Sequence, residues 1–361
     1  MNQFQIGVSQ AVFTVIVILL DVPMGWLADR FSRKWANAVG DFVTAAGFIA
    51  YAFVGGLGGV IICEVILAIG MASSIGADGP LLESYCVRLG KDYAHENARI
   101  QQWAPIVMAI GMVVGGMIGA KSPRLAMLLS AVPMLVGATL TSLIVDDVPK
   151  ARHEPKHPIH EIKSVIRYCM RDHKQLASTI WANAVINKST HGIVWLTTPM
   201  LLLAHVPLWL VGVGWALNNL GAWAGATLAR RYGTTGTTAE VFGWPLLALV
   251  AASLLFGLVP NPVTAMAVIV FGIVRGWHIA VMPVRVQELA PEALKTTVNS
   301  VSSTVSRLLY VVVVIVLSGV STQHPGRGFV LNAIIFASLG LAVLPRLRRT
   351  HDQKGPVYAQ K

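Results

Sequence analysis

Apolar residues run along this chain in blocks of about twenty, broken by short polar stretches, instead of at the spaced positions of a soluble helix or strand. Eleven blocks are expected to be membrane-spanning helices: Phe4–Leu27, Trp35–Gly55, Gly58–Leu82, Trp103–Ala120, Leu125–Val145, Leu176–Ala204, Leu208–Ala229, Val241–Val259, Val263–Val284, Val298–Val320 and Gly328–Leu344. At about 1.5 Å per residue, each can cross a hydrocarbon core of about 30 Å. Helices are the form expected because lipid offers a backbone N–H or C=O no partner. The fold class expected is an all-α polytopic membrane protein with 5 + 6 spans.

Composition sharpens this reading. The 361 residues are 55% hydrophobic and only 12% charged, about half the charge of a soluble domain. The net charge of +11 would suggest a nucleic-acid partner in a soluble chain. Here the basic residues fall in the breaks on one side of the spans: Arg30, Arg33, Lys34, Arg88, Lys91, Arg99, Arg230, Arg231, Arg285, Lys295, the 146–175 stretch and the C-terminal tail. The other side holds only Lys121, Arg124 and Arg327. This is the positive-inside pattern, so no nucleic acid is expected. It implies a multi-pass protein of the cell (inner) membrane, N-terminus outside and C-terminus cytoplasmic. Cys63, Cys86 and Cys169 are too scattered for a disulfide framework.

The division expected is an N-terminal bundle at 1–145, a cytoplasmic linker at 146–175, a C-terminal bundle at 176–346 and a tail at 347–361. The linker holds Ile162, Val165, Ile166, Cys169 and Met170 on one helical face, with Lys163, Arg167, Arg171 and Lys174 available to anionic lipid. His153, His157 and His160 also lie in it, but prolines interrupt their spacing, so no metal site is expected.

The break after the first block reads Gly25-Trp-Leu-Ala-Asp29-Arg30-Phe-Ser-Arg33-Lys34. It resembles the loop motif after the second helix of major facilitator superfamily transporters, roughly Gly-x-Leu-Ala-Asp-Arg-x-Gly-Arg-Lys, with Ser32 where glycine is usual. A partial echo, Leu228-Ala-Arg-Arg-Tyr-Gly233, follows 201 residues after Leu27, and Pro80 is matched by Pro283 at an offset of 203. The resemblance implies two pseudo-symmetric helical bundles with a substrate site at mid-membrane. It also implies a gating role for Gly25, Asp29, Arg30, Arg33 and Lys34, with Gly25 allowing close helix packing. Family members usually have twelve helices, so a segment corresponding to the first helix is expected to lie before Met1 or to be missing.

Charged residues inside the spans are candidate functional groups, because each costs on the order of 3 kcal/mol at the centre of a bilayer unless paired or neutralised. Asp21, Asp41, Glu64 and Asp78 occupy the N-terminal half, while Lys188, Arg275 and Arg307 occupy the C-terminal half. The acids are candidates for carrying a proton or forming charge pairs. Asn183, Asn187 and His191 recur at four-residue spacing beside Lys188, and His278 follows Arg275 by three. With Arg307, these are the candidate substrate-binding residues. Ser303 lies on the Arg307 face, and Trp181, Trp195, Trp215, Trp223 and Trp277 offer apolar walls. Gly111, Gly115, Gly116 and Gly119 form a small-residue face suited to close packing.

These features lead to the expectation of a secondary transporter moving a small organic molecule by alternating access, with proton-coupled efflux the leading mode. Organic-anion uptake is the alternative within transport, and a non-transporting membrane sensor the alternative outside it. The partners expected are a small-molecule substrate, protons and membrane lipids, with the chain a monomer. No enzyme constellation, nucleotide-binding loop, metal or cofactor is expected.

Overall fold

A computed structural model describes residues 1–144, 166–233, 236–291 and 294–352. Among these the chain is helical, with no strand. The linker histidines, Lys163, Ile162 and Val165 lie outside the described residues.

Five helices make up the first part: α1 (Gln3–Arg30), α2 (Arg33–Tyr51), α3 (Gly56–Arg88), α4 (Tyr93–Lys121) and α5 (Pro123–Leu143). Seven make up the second: α6 (Lys174–His191), α7 (Val194–Leu203), α8 (Leu208–Tyr232), α9 (Thr238–Leu258), α10 (Ala267–Glu288), α11 (Lys295–Val320) and α12 (Pro325–Asp352). Eight of these are long and apolar enough to cross a membrane. The three other expected spans are helical as well: α2 and α8 are more polar, and the Leu176–Ala204 block is broken into a polar α6 and an apolar α7 of only 10 residues. Several helices outrun their apolar blocks because the hydrogen-bonded spiral continues past the hydrocarbon. The 33 residues of α3 extend about 50 Å at 1.5 Å per residue.

Local chemistry sets the helix ends. Asn2 Oδ1 accepts from Gln5 N at 2.9 Å while Gln5 Oε1 accepts from Asn2 N at 3.0 Å, a reciprocal cap on α1. Ser32 caps α2, its Oγ accepting from Trp35 N at 3.3 Å. Gly56, at φ +72°, opens α3 in a backbone conformation that a side chain would strain.

The chain divides into two compact units, 1–154 with 208–213 and 155–207 with 214–361. In the first, α2 packs on α3 and α5, and α1 on α3. The α2–α3 crossing is close because Gly40 and Gly70 meet there: a Cβ on Gly40 would stand 2.8 Å from Gly70 O, and one on Gly70 would stand 2.7 Å from Gly40 O. In the second, α6 packs against α10, α11 and α12, and α9 against α12. Gly221 and Gly225 of α8 face Gly272 and Gly276 of α10, and a Cβ at any of the four would strike the partner's backbone. Two small residues four apart on each helix let the backbones touch, where lipid gives no hydrophobic drive to hold them together.

Only the end of the expected amphipathic linker helix lies within the described residues. Residues Tyr168–Asp172 form a short π-helix. Cys169 is buried against Leu176, Ile180, Val286 and Val298, with Tyr168 and Met170 packed on the same cluster. Ile166, on the same expected face, is exposed. Burial pushes the Cys169 thiol up from its ordinary value, which keeps it protonated and unreactive.

Candidate functional site

The second unit gathers the basic candidates. The Leu176–Ala204 block is not one helix: it breaks at Gly192–Ile193, directly after His191. A Cβ on Gly192 would lie 3.0 Å from Leu317 Cδ1 and 3.1 Å from Asn332 Oδ1, so the break is packed tightly against α11 and α12. Discontinuous helices are a common way for membrane proteins to build ligand sites.

Asn183 acts as a bridge. Its Oδ1 lies 2.8 Å from His278 Nε2 on α10, and its Nδ2 donates to Ser302 Oγ on α11 at 2.9 Å. All three side chains are buried, so Asn183 and His278 tie helices together. Asn187, one turn on, has a buried Oδ1 without a hydrogen-bond partner. Such an atom is costly unless something else supplies a donor.

Lys188 and Arg275 meet neutral partners. Lys188 Nζ sits 5.5 Å above the Tyr310 ring, and Arg275 NH2 donates to Asn219 Oδ1 on α8 at 2.8 Å. Neither forms an ion pair among the described residues. Arg307 is near enough to Lys188 for the two charges to repel, and His191 lies within the field of both Lys188 and Arg275. His191 also stands edge-on to Tyr310, with ring centroids 6.4 Å apart. Trp195 Nε1 donates to Tyr310 OH at 2.9 Å, and Trp215 Nε1 to Thr198 Oγ1 at 3.2 Å. A cavity of about 40 Å³ opens beside His191, Arg275, Thr190, Thr197, Trp215 and Asn218, with room for water but not for an organic molecule.

Lys188, His191, Arg275 and Arg307 thus share one neighbourhood. Arg275 and His278, expected on one face, bond to different helices, and Ser302, not Ser303, is the α11 hydroxyl engaged. Of the tryptophans, Trp277 is buried, donating to Val241 O at 2.9 Å, while Trp181 and Trp223 are exposed. Tyr310, Asn219 and Ser302 were missed from sequence. Ser302, Ser306 and Tyr310 recur every four residues on α11, and that stripe was the available signal.

The acids of the first unit also find neutral donors. Glu64 is buried, 5% exposed, and its Oε1 accepts from Gln10 Nε2 at 2.6 Å and from Tyr51 OH at 2.7 Å. It forms no ion pair among the described residues. Asp41 Oδ1 accepts from Ser74 Oγ at 3.1 Å, and Asp78 accepts from Asn37 Nδ2. Asp41 and Asp78 are near enough to repel when both are ionised. Asp21 is half-buried in α1.

The motif residues lie around the turn between α1 and α2. Arg30 ends α1, Arg33 opens α2, and Lys34 is buried with its Nζ 4.9 Å over the Trp35 ring. Asp29 lies in the last turn of α1, and its side chain is outside the described structure. Among the described residues, a Cβ on Gly25, where close packing was expected, would meet nothing within 4 Å. The same is true of Gly111 and Gly115, whereas Gly116 packs on the Gly212 backbone and a Cβ on Gly119 would lie 3.7 Å from Ala126 Cβ.

A family model described as Major Facilitator Superfamily matches residues 1–314. No curated protein matches the chain. Among solved structures, the nucleoside transporter NupG superposes with TM-score 0.73 at 14% identity, covering 98% of this chain and 92% of its own. A bacterial homologue of the human lysosomal transporter Spinster, inward-facing and unoccupied, gives TM-score 0.76 at 13% identity, with coverage of 99% and 92%. A POT family transporter in complex with a thioalcohol-conjugated peptide gives TM-score 0.74 at 13% identity, with coverage of 96% and 89%. At these identities the likeness concerns the fold.

Proposed function

The chain belongs to the major facilitator superfamily, and on that premise we propose that it is a proton-coupled secondary transporter of a small organic anion, working by alternating access. The observation that carries the reading is the pairing of Lys188 and Arg275 with an aromatic face and a neutral amide, and with no carboxylate among the described residues. A partly buried cation held only by neutral groups keeps part of its desolvation cost, and a carboxylate or phosphate ligand would offset it. Tyr310, Trp195 and Trp215 supply flat apolar surface beside these charges for the organic part of the ligand. Asn187 Oδ1 awaits a donor, so a ligand carrying a hydroxyl or amine beside its anionic group fits best.

Glu64 is the group we assign to the coupling proton. Its two hydrogen-bond donors are neutral and can serve a carboxyl in either protonation state. A carboxylate at this depth without a cation costs on the order of 3 kcal/mol, which protonation removes. The basic ends of α1, α3, α8, α10 and α12 support a cytoplasmic placement of those ends. Lipophilic-cation efflux fits less well, because a cation would have to enter among Lys188, Arg275 and Arg307.

The test is binding and flux with purified protein. Thermal stabilisation by a panel of organic anions, cations and zwitterions should select anions. Lys188→Ala or Arg275→Ala should weaken binding by about 10- to 100-fold, the worth of one hydrogen bond to a charged group. Proteoliposomes given pH gradients of both signs then report direction and coupling. Stabilisation by cations alone, indifferent to both substitutions, would overturn the proposal.

A further inference from the structure

One large surface feature takes no part in the substrate or proton sites. A groove of about 920 Å³ runs between α9 and α12, walled by Phe242, Trp244, Leu246, Leu247, Leu341 and Leu344. Small residues carve it. A Cβ on Gly243 would lie 3.8 Å from Leu344 Cδ1, and one on Gly340 would strike Leu246, so the two helices sit close with a channel above them. Trp244 is fixed as a wall by an edge-on contact with Trp277, ring centroids 4.8 Å apart.

The groove spans Thr237 to Val250 on one helix and Ala337 to Arg348 on the other. At 1.5 Å per residue this is roughly 17–20 Å, close to the depth of a single leaflet of a bilayer whose core is about 30 Å thick. Apolar side chains line most of it, and its ends differ in charge. Arg348, exposed and in no ion pair among the described residues, stands at the end shared with Thr237 and Glu240. Glu240, whose Oε2 accepts from the Thr237 backbone N–H at 2.8 Å as part of the α9 cap, keeps its negative charge there, so the basic balance of this end rests on Arg348 together with Arg346. Arg346 is exposed on the same end of α12.

We propose that this groove binds one anionic glycerophospholipid, with an acyl chain along the α9–α12 channel and the headgroup phosphate against Arg348. A zwitterionic lipid could place the same chain there, so selectivity rests on the basic end. A basic residue at a membrane surface favours an anionic headgroup by about fivefold in affinity. The groove shares no lining residue with the substrate or proton sites, so it stands or falls separately from the transport reading.

Trp244 provides the reporter. The full-length protein is reconstituted into vesicles containing phosphatidylglycerol or phosphatidylcholine with the same brominated acyl chains, which quench tryptophan on contact. The Trp244 contribution is taken as the difference from Trp244→Phe. Brominated phosphatidylglycerol should quench Trp244 at about fivefold lower mole fraction than brominated phosphatidylcholine, and Arg348→Gln should remove that preference. Ala337→Phe, which narrows the channel, should reduce quenching by both lipids. Equal quenching by the two lipids in the wild type, a preference that survives Arg348→Gln, or no quenched Trp244 component would each overturn the proposal. Elution of each variant as a single folded species in size-exclusion chromatography separates lost lipid binding from lost fold.

Discussion

Replacing Glu64 tests the coupling proposal most directly, because two substitutions separate its structural and proton-carrying roles. Glu64 Oε1 accepts from Gln10 Nε2 at 2.6 Å and Tyr51 OH at 2.7 Å, linking α3 to α1 and α2. Glu64→Ala leaves both donors without an acceptor. An ordinary interhelical hydrogen bond in a membrane is worth about 0.6 kcal/mol and one to a charged group about 1.5–3, which brackets the loss between about 1 and 6 kcal/mol. Glu64→Gln keeps an oxygen for both donors and resembles the protonated acid, so the fold should survive nearly unchanged. Coupling should not survive, because the amide neither takes up nor releases a proton. A gradient of about 1.7 pH units supplies about 2.3 kcal/mol per proton, enough for about 50-fold accumulation of a monoanion carried with it.

The assay is uptake into proteoliposomes under an imposed proton gradient, run beside solute exchange at equilibrium. Glu64→Gln should retain exchange and lose accumulation, levelling at a ratio of about one. Glu64→Ala should lower the melting temperature first. Accumulation at the wild-type level in Glu64→Gln would refute the assignment and reduce Glu64 to a strut between helices.

Substitutions at two further positions probe the frame of the basic site. Asn183→Ala strands both His278 and Ser302, and two interhelical bonds predict a loss of about 1–3 kcal/mol in thermal or denaturant unfolding; an unchanged melting temperature would show that the bridge is replaceable. Gly276→Leu drives a side chain into the Ala222 backbone, so folded protein should be lost on overexpression, and even Gly276→Ala should destabilise by about 1–3 kcal/mol; a Gly276→Ala variant as stable as the wild type would mean that the α8–α10 contact can open freely.

Much of the fold was legible because lipid imposes a simple rule: long apolar runs must be helices. The blocks at 4–27 and 125–145 needed nothing else, and the Gly25–Lys34 motif supplied the family. What stayed hidden depends on partners far apart in sequence. Lys188, Arg275 and Arg307 were conspicuous as charges in apolar surroundings, but Tyr310 and Asn219, which hold the first two, carry no charge to draw notice. Periodicity placed Arg275 and His278 on one face. It could not reveal that one turns to α8 and the other to α6, because that depends on the close glycine contact between α8 and α10. The break after His191 was missed because Gly192–Ile193 looks ordinary in an apolar run. There Gly192 packs against Leu317 and Asn332, neighbours far away in sequence. Ser32, a departure from the motif, proved to be a helix cap, a role that glycine cannot fill with a side chain.

The segregation of interior charge suggests how binding and coupling could depend on one another. The first unit buries a carboxyl at Glu64 and the second gathers cations at Lys188 and Arg275, and each set is satisfied locally only by neutral groups. Closing either site away from water while its charge is uncompensated costs a few kcal/mol per group. A proton removes that cost at Glu64, and a bound anion removes it at the basic cluster. A carrier loaded with both therefore meets a lower barrier to occlusion than one loaded with either alone. Linkage between the two then requires no direct contact between proton and substrate. It follows from two separate electrostatic penalties, each lifted by its own ligand, acting on the same conformational step.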